Sequence, residues 1–235
     1  MKIYAHRGAS YDYPEMTMAA YEEAVKQGAD GFECDLRLTK DGVAVLWHDT
    51  DLERCANNKA VVSASTYAQL KSIYPEILTI DEILDFAISQ SKSLLLETKH
   101  PVPSRTAIED VLVEKINKEA KRIKKSEIEV SVMSFSWLAI EHIKRLDKNI
   151  ETTYLLSNFI PWFNALHSSA SSLGPEITQL RKNPDLAKRI KSAGRNLNVW
   201  TVNDPSDIRL CYELGVDNLI TDRPGFAREI LSNIK

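Results

Sequence analysis

The feature that most constrains the fold of this 235-residue chain is a regular alternation of short β-rich runs with amphipathic segments. Eight strands, most of them followed by a helix, predict a TIM (β/α)8 barrel, and a doubly wound sheet is the structural alternative. The candidate strands lie at 2–6, 30–36, 93–97, 128–133, 151–156, about 169–174, 197–202 and 217–221, and the helical patterns at 17–27, 79–90, 104–124, 136–146, 183–193, 205–214 and 224–233. No linker or repeat divides the chain, so residues 1–235 are interpreted as a single domain.

Several predicted helices carry end signals. Thr79 is followed three residues later by Glu82, which is a capping-box pattern. Pro205 follows Asp204 at the expected start of another helix, and Gly194 and Gly215 lie at expected ends. These signals support the predicted alternation of strands and helices.

The charge balance and cysteine content restrict the partners and the compartment. A net charge of −3 and a pI near 6.0 argue against nucleic acid as the main partner. No run approaches the roughly 20 apolar residues of a transmembrane helix, so no stable membrane insertion is expected. The first eight residues contain no secretory apolar core, and three widely spaced cysteines indicate reduced thiols. We therefore predict a cytoplasmic protein, and its oligomeric state is left open.

Residues 32–49 interrupt the alternation with two alternating runs joined at an Asp-Gly pair. This pattern predicts a β-hairpin. Folding it about Asp41 places Glu33 and Asp35 opposite the stretch around His48, within a residue or two. Because side chains alternate along a strand, the two carboxylates share one face. The hairpin therefore gathers two carboxylates and an imidazole.

Polar side chains of complementary chemistry lie at the ends of several predicted strands. Each has an ordinary explanation when taken alone, as a surface histidine, a solvated strand face or a simple ion pair. In a barrel, however, functional groups collect where strands end at the carboxyl face, so we expect these side chains to converge. The set comprises His6, Arg7, Glu33, Asp35, His48, Glu97 and Lys99.

This set suits the cleavage of a phosphodiester. Glu33, Asp35 and Glu97 offer hard oxygen ligands, which favour one divalent cation, Mg²⁺ or Ca²⁺, over zinc. Arg7 and Lys99 would bind phosphate oxygens. The two histidines, with ordinary pKa values near 6.5, could divide proton removal from the nucleophile and proton delivery to the leaving alkoxide.

The same residues fall within a recognisable series of motifs, and the chain resembles the glycerophosphodiester phosphodiesterase family in its short bacterial form. The resemblance extends from residue 3 to about 224, and the order and spacing of its motifs are specific. The motifs are His6-Arg7-Gly8-Ala9, Pro14-Glu15-Met16-Thr17, Glu33-Cys34-Asp35-Leu36, Thr39-Lys40-Asp41-Gly42, Trp47-His48-Asp49, Leu52-Glu53-Arg54, Leu78-Thr79-Ile80-Asp81-Glu82, Glu97-Thr98-Lys99, Ser134-Phe135, Trp200-Thr201-Val202-Asn203-Asp204, Gly215-Val216-Asp217 and Thr221-Asp222-Arg223-Pro224.

The resemblance implies a TIM-barrel enzyme of glycerol and glycerophospholipid metabolism that hydrolyses small-molecule glycerophosphodiesters to glycerol 3-phosphate and an alcohol. It also implies roles for individual residues. Glu15 matches a position that orients the site, and Phe135 and Trp200 match aromatic positions that contact the substrate or belong to the barrel core. The other implied roles are metal ligation by Glu33, Asp35 and Glu97, acid–base catalysis by His6 and His48, and phosphate contact by Arg7 and Lys99.

Met16 departs from the family pattern, which has Asn there. Either that Asn supports a catalytic group, or it caps the following helix, in which case Thr17 or Glu15 can replace it. Asp49 and Asp222 also lie at strand ends and are interpreted as residues that orient a neighbour or cap a helix.

Three other functions stay open at this stage. Two are enzymatic, a phosphatidylinositol-type phospholipase C and a lysophospholipase D. The third is a non-catalytic protein that binds phosphodiesters, for which Met16 is the only supporting feature.

Overall fold

The computed structural model describes residues 1–157 and 165–234. Within these residues, eight parallel strands close into a barrel, because β1 pairs with both β2 and β11. The prediction of a single-domain TIM barrel is confirmed. The strands are β1 Lys2–His6, β2 Gly31–Leu38, β3 Ala44–Leu46, β4 Asp51–Leu52, β5 Asn58–Val61, β6 Ser93–Thr98, β7 Val130–Ser134, β8 Glu151–Leu156, β9 Ser172–Pro175, β10 Asn196–Val199 and β11 Asn218–Thr221.

Helices follow most of the barrel strands and cover their outer face. The end signals read from the sequence are confirmed: Thr79 and Glu82 form a capping box, Pro205 opens its helix, and Gly194 and Gly215 have positive φ angles of 72° and 65°. The helices are α1 Met18–Lys26, α2 Glu53–Ala56, α3 Tyr67–Ile73, α4 Ile80–Gln90, α5 Ala107–Lys125, α6 Trp137–Leu146, α7 Ile177–Lys182, α8 Asp185–Ser192, α9 Pro205–Glu213 and α10 Pro224–Ser232, with a 3₁₀ turn at Val62–Ala64.

The structure differs from the predicted pattern mainly in short elements. The strand predicted at 197–202 ends at Val199, and α2, α3 and α7 have at most seven residues each. Elements this short show too few periods of a hydrophobic pattern to be distinguished from loops.

The interior of the barrel is filled by apolar side chains from alternate positions of its strands. These side chains form a buried cluster of Tyr4, Leu95, Met133, Leu155 and Ile220. Phe135 and Trp200 pack against this cluster and are only partly buried. The barrel is therefore a packed core, and polar chemistry is restricted to its ends.

The predicted hairpin is present, with β2 and β3 antiparallel and Leu36 opposite Leu46. The backbone N–H of Trp47 donates to the carbonyl of Asp35 at 3.0 Å, so the segment before His48 lies beside the carboxylate strand as expected.

The chain after the hairpin, from β4 to α3, forms a small layer against it with its own apolar cluster. That cluster consists of Val45, Trp47, Leu52, Val62, Leu70 and Ile77. The hairpin is thus held by packing from both sides.

Within residues 1–157 and 165–234, no helix combines the length and the apolar character that a bilayer-spanning segment requires.

Candidate active site

Three buried carboxylates converge at the carboxyl end of two neighbouring strands. Glu33 and Asp35 lie two residues apart on β2, and Glu97 lies directly opposite Asp35 on β6. Their side chains have ligand oxygens that all lie within 4.8 Å of one another. All three residues are buried. Glu33 and Glu97, together with His6 and Trp200, line a cavity of about 20 Å³, which we call the cavity of the triad. A space of that size holds one water molecule or one ion.

The acidic triad, as we name Glu33, Asp35 and Glu97, fits a divalent cation. Burial raises the pKa of Glu33 well above its usual range, and the negative charge of Asp35 adds to the effect. The same two causes raise the pKa of Glu97 to about 7. Neither oxygen of Asp35 receives a well-directed hydrogen bond. Buried carboxylates without enough positive charge are costly, and an all-oxygen donor set suits Mg²⁺ or Ca²⁺.

Two cations border the triad. The Nζ atom of Lys99 lies 2.6 Å from Asp35 Oδ1 and 2.5 Å from Glu97 Oε1, and Arg7 Nε lies 2.8 Å from Asp35 Oδ2. Burial raises the pKa of Asp35, but the charges of Lys99 and Arg7 outweigh it and bring that pKa to about 2. Because both side chains keep some exposure, their remaining N–H groups are available to phosphate oxygens.

The loop after β1 has an unusual backbone that orients Arg7. This residue has a φ of 59°, and its backbone N–H donates to the Glu33 carbonyl at 3.0 Å. Gly8 follows with a φ of 85°, and a Cβ there would lie 2.7 Å from the Cβ of Ala20. Only glycine fits this close approach of the loop to α1.

His6 is held by a carboxylate from the last barrel strand. Its Nδ1 lies 2.6 Å from Asp222 Oδ1, while its Nε2 faces the triad at 3.9 Å from Glu33 Oε2. Asp222 also accepts hydrogen bonds from Ser10 and Asn203. Burial raises the pKa of Asp222, but the bonds from His6 and these neighbours outweigh it and lower it. The carboxylate favours the tautomer with the proton on Nδ1, which leaves Nε2 to exchange protons at the triad.

His48 is held by a carboxylate of its own segment. Its Nδ1 lies 2.7 Å from Asp49 Oδ1, and Arg37 Nε donates to its backbone carbonyl at 2.9 Å. Burial lowers the pKa of His48, and nearby Lys99 adds to this, whereas Asp35 opposes it. In its contact with Asp49, His48 has the same Nδ1–carboxylate arrangement as His6 has with Asp222.

A chain of ion pairs links the His48 segment to Arg7. Arg54 on α2 donates from Nε to Asp49 at 2.6 Å and from its terminal nitrogens to both oxygens of Glu15 at 2.9 and 2.6 Å. Glu15 in turn accepts two bonds from Arg7 Nη1, each at 3.3 Å. Glu15 thus lies between the two arginines and does not touch the triad directly.

The two predicted aromatic residues pack edge to face, with ring centroids 5.3 Å apart and planes at 89°. Trp200 lines the cavity of the triad and donates from Nε1 to the Gly174 carbonyl at 2.7 Å. Phe135 does not line that cavity; it lines a separate groove next to it.

Met16 occupies a left-handed backbone conformation, with a φ of 56°, and its backbone N–H donates to the Arg7 carbonyl at 2.8 Å. Its side chain is buried in an apolar cluster. The helix cap is Thr17, whose hydroxyl accepts from the Ala20 N–H. The position therefore does not cap the helix, and asparagine is suited to it because asparagine tolerates this conformation.

The structure brings most of the predicted residues together around the triad and places Asp49 and Asp222 on the two histidines. Arg37 was not predicted from the sequence as part of the site, and Asn203 and Arg54 were included only within motifs. For Arg37 a signal was available, since it follows Asp35 by two residues on the same strand face.

The chain is similar to known proteins over nearly its whole length. Residues 6–226 match the model of the glycerophosphoryl diester phosphodiesterase family. A glycerophosphodiester phosphodiesterase from Bacillus altitudinis is 32% identical over 100% of this chain and 99% of its own. Another, from Caldanaerobacter subterraneus, is 30% identical over 94% of both chains. A phosphodiesterase structure from Oleispira antarctica, in complex with the product sn-glycerol-3-phosphate, is 25% identical with a TM-score of 0.80, and the match covers 99% of this chain and 97% of that one.

Proposed function

The chain belongs to the glycerophosphoryl diester phosphodiesterase family and is a phosphoric diester hydrolase, and we propose that it splits glycerophosphodiesters into sn-glycerol 3-phosphate and an alcohol with the help of one divalent cation. The triad is the observation that supports the assignment of the metal ligands. The assignment of the histidines is supported by Nε2 of His6, which faces the triad, and by the proximity of His48 to Asp35. The product bound to the Oleispira antarctica enzyme supports the choice of glycerol 3-phosphate.

Glu33, Asp35 and Glu97 would hold Mg²⁺ or Ca²⁺. When bound, such an ion polarises a phosphoryl oxygen and balances the charge that develops in the transition state. Arg7 and Lys99 bind the other phosphate oxygens from the rim of the triad. Both stay protonated at neutral pH, because the carboxylates raise the pKa of each against the opposing effect of burial.

His6 and His48 share the proton transfers. Each is oriented through Nδ1 by an aspartate, which leaves the other ring nitrogen for the reaction. One imidazole takes the proton of the nucleophile, and the other, as imidazolium, gives its proton to the departing alkoxide.

The nucleophile is either water or the glycerol 2-hydroxyl, which would form a cyclic phosphate that water then opens. A diester that lacks this hydroxyl separates the two routes, because unimpaired turnover of such a compound excludes the cyclic one.

We place the reaction in glycerophospholipid and glycerol metabolism, and in the cytoplasm. The placement in the cytoplasm is supported by Cys34, Cys55 and Cys211, which are free thiols in the structure. Free thiols are typical of reducing compartments.

The test is turnover of glycerophosphocholine, with glycerol 3-phosphate measured by a coupled dehydrogenase. Complete chelation should abolish turnover, and Mg²⁺ or Ca²⁺ should restore it. Calorimetry provides a second measurement, because Glu97→Gln should weaken binding of both ions relative to the unaltered protein. Equal turnover after complete metal removal would show that the metal assignment is wrong. Absence of glycerol 3-phosphate under every metal condition would refute the function itself.

A further inference from the structure

A wide groove lies next to the triad, between the loop that follows β6 and the face of α6 that carries Leu138, His142 and Arg145. It measures about 860 Å³, which is within the usual range for pockets that bind small molecules. Its walls combine apolar and cationic side chains. Among them are Val102, Arg105, Phe135, Leu138, His142 and Arg145.

The groove lies beside the reaction centre. His100, which lines it, directly follows Lys99, and Phe135 in its wall packs on Trp200, which lines the cavity of the triad. The cavity of the triad holds about 20 Å³, which is enough for an ion but not for a diester. A substrate whose phosphate lies at the triad must therefore extend beyond that cavity, and the groove is a large depression beside it.

The positive charge in the groove belongs to two arginines. Arg105 and Arg145 are exposed, and neither side chain has a hydrogen-bond or ion-pair partner among the described residues. The histidines differ, because His100 pairs with Glu109 at 2.8 Å and His142 pairs with Asp110 at 2.7 Å. The groove therefore combines two guanidinium groups that have no partner among the described residues with the apolar side chains of Val102, Phe135 and Leu138.

We propose that this groove receives the alcohol half of the substrate and that Arg105 and Arg145 favour alcohols that carry a second anionic group, such as a phosphate. The proposal rests on the proposed function. Guanidinium groups bind phosphate in a bidentate manner, and the apolar side chains of Val102 and Leu138 can cover the carbon frame of a polyol. A choline or ethanolamine group, being cationic, gains nothing from these two residues.

The test compares glycerophosphoinositol with glycerophosphoinositol 4-phosphate, which differ only in the added phosphate. The unaltered enzyme should show the higher kcat/KM for the phosphorylated diester. Arg105→Gln and Arg145→Gln should each reduce that preference by about two- to fivefold at low salt, since exposed ion pairs contribute energies of this order. Lys188→Gln is the control for total charge, because Lys188 is exposed on α8 and lies outside the groove and the site. It should keep the preference unchanged.

A binding measurement makes the test independent of turnover. Calorimetry should show that free inositol 4-phosphate binds more tightly than inositol, and that the double arginine variant loses this difference while Lys188→Gln keeps it. The proposal is overturned if the unaltered enzyme shows no preference, or if the double variant keeps the preference. If neither inositol diester nor glycerophosphocholine is hydrolysed, the proposed function fails, and the binding measurement alone decides on the groove.

Discussion

The two histidines of the site have matching partners but are built into different parts of the molecule. His6 ends a barrel strand, and its carboxylate, Asp222, comes 216 residues later in the chain, after the strand that pairs with β1. His48 follows the hairpin, and its carboxylate, Asp49, is the next residue. The first pair depends on closure of the barrel, whereas the second depends on a segment added to it.

The surroundings of the two aspartates differ as well. Asp222 accepts hydrogen bonds from the neutral donors Ser10 and Asn203, within the barrel end. Asp49 is held by Arg54, whose side chain is 49% exposed. Exposed ion pairs contribute little stabilising energy, and salt screens them. Substitutions of the residues that hold His48 should therefore lower activity less than substitutions of those that hold His6, and their effect should depend more on ionic strength.

The largest expected effect comes from removal of either imidazole. His6→Ala and His48→Ala should each lower kcat by about 10²- to 10⁴-fold, the usual contribution of a general acid or base. The measurement is steady-state turnover of glycerophosphocholine. His167→Ala is the matched control, since His167 is exposed and outside the site, and should change little. Near-normal kcat in either site variant would show that the histidine concerned has no part in proton transfer. The two histidines could then no longer be compared as an acid–base pair.

The aspartates should differ in their effect. Asp222→Asn should lower kcat by about 10- to 100-fold, which is typical when a carboxylate that orients a histidine is lost. Asp49→Asn should cost at most about fivefold, because this aspartate belongs to a more exposed ion-pair network. Both variants keep the size of the side chain. A larger loss for Asp49→Asn would mean that the added segment, rather than the barrel, controls proton transfer.

Arg54 tests whether the ion-pair chain matters at all. Arg54→Gln removes the contacts with Asp49 and Glu15 and should lower kcat by about two- to fivefold at low salt. Arg54→Lys should recover only part of the loss, since a single ammonium group cannot replace the planar guanidinium that contacts both carboxylates. The difference from the unaltered enzyme should shrink at 1 M salt, where the Debye length is about 3 Å. A deficit that does not depend on salt would indicate a role in packing instead.

Much of the site could be predicted because its residues follow strands. The alternation along β2 places Glu33 and Asp35 on one face, and the shared carboxyl end of parallel strands brings Glu97 to them. The Asp-Gly turn likewise predicted where His48 would lie.

The other parts of the site depend on long-range pairing or on backbone geometry. The contact of Asp222 with His6 requires β11 to pair with β1, and no spacing in the sequence encodes that closure. The short helix that carries Arg54 has four residues and no apolar period. The left-handed conformation of Met16 is set by the loop after β1, and methionine gives no sign of it.

The smallest effect, on stability, comes from restoring the usual residue of the family at position 16. Asn relieves a backbone strain of roughly 1–2 kcal/mol. It also removes a buried apolar side chain worth about 1.5–3 kcal/mol and places an amide in apolar surroundings. Met16→Asn should therefore lower the free energy of unfolding by about 1–3 kcal/mol in urea titrations. Met16→Leu, which keeps both the strain and the burial, should change it by less than about 1.5 kcal/mol. If Met16→Asn instead raises the free energy of unfolding, the backbone strain at position 16 costs more than the packing of the methionine side chain contributes. The loop after β1, which follows His6, would then be more strained than the segment that carries His48.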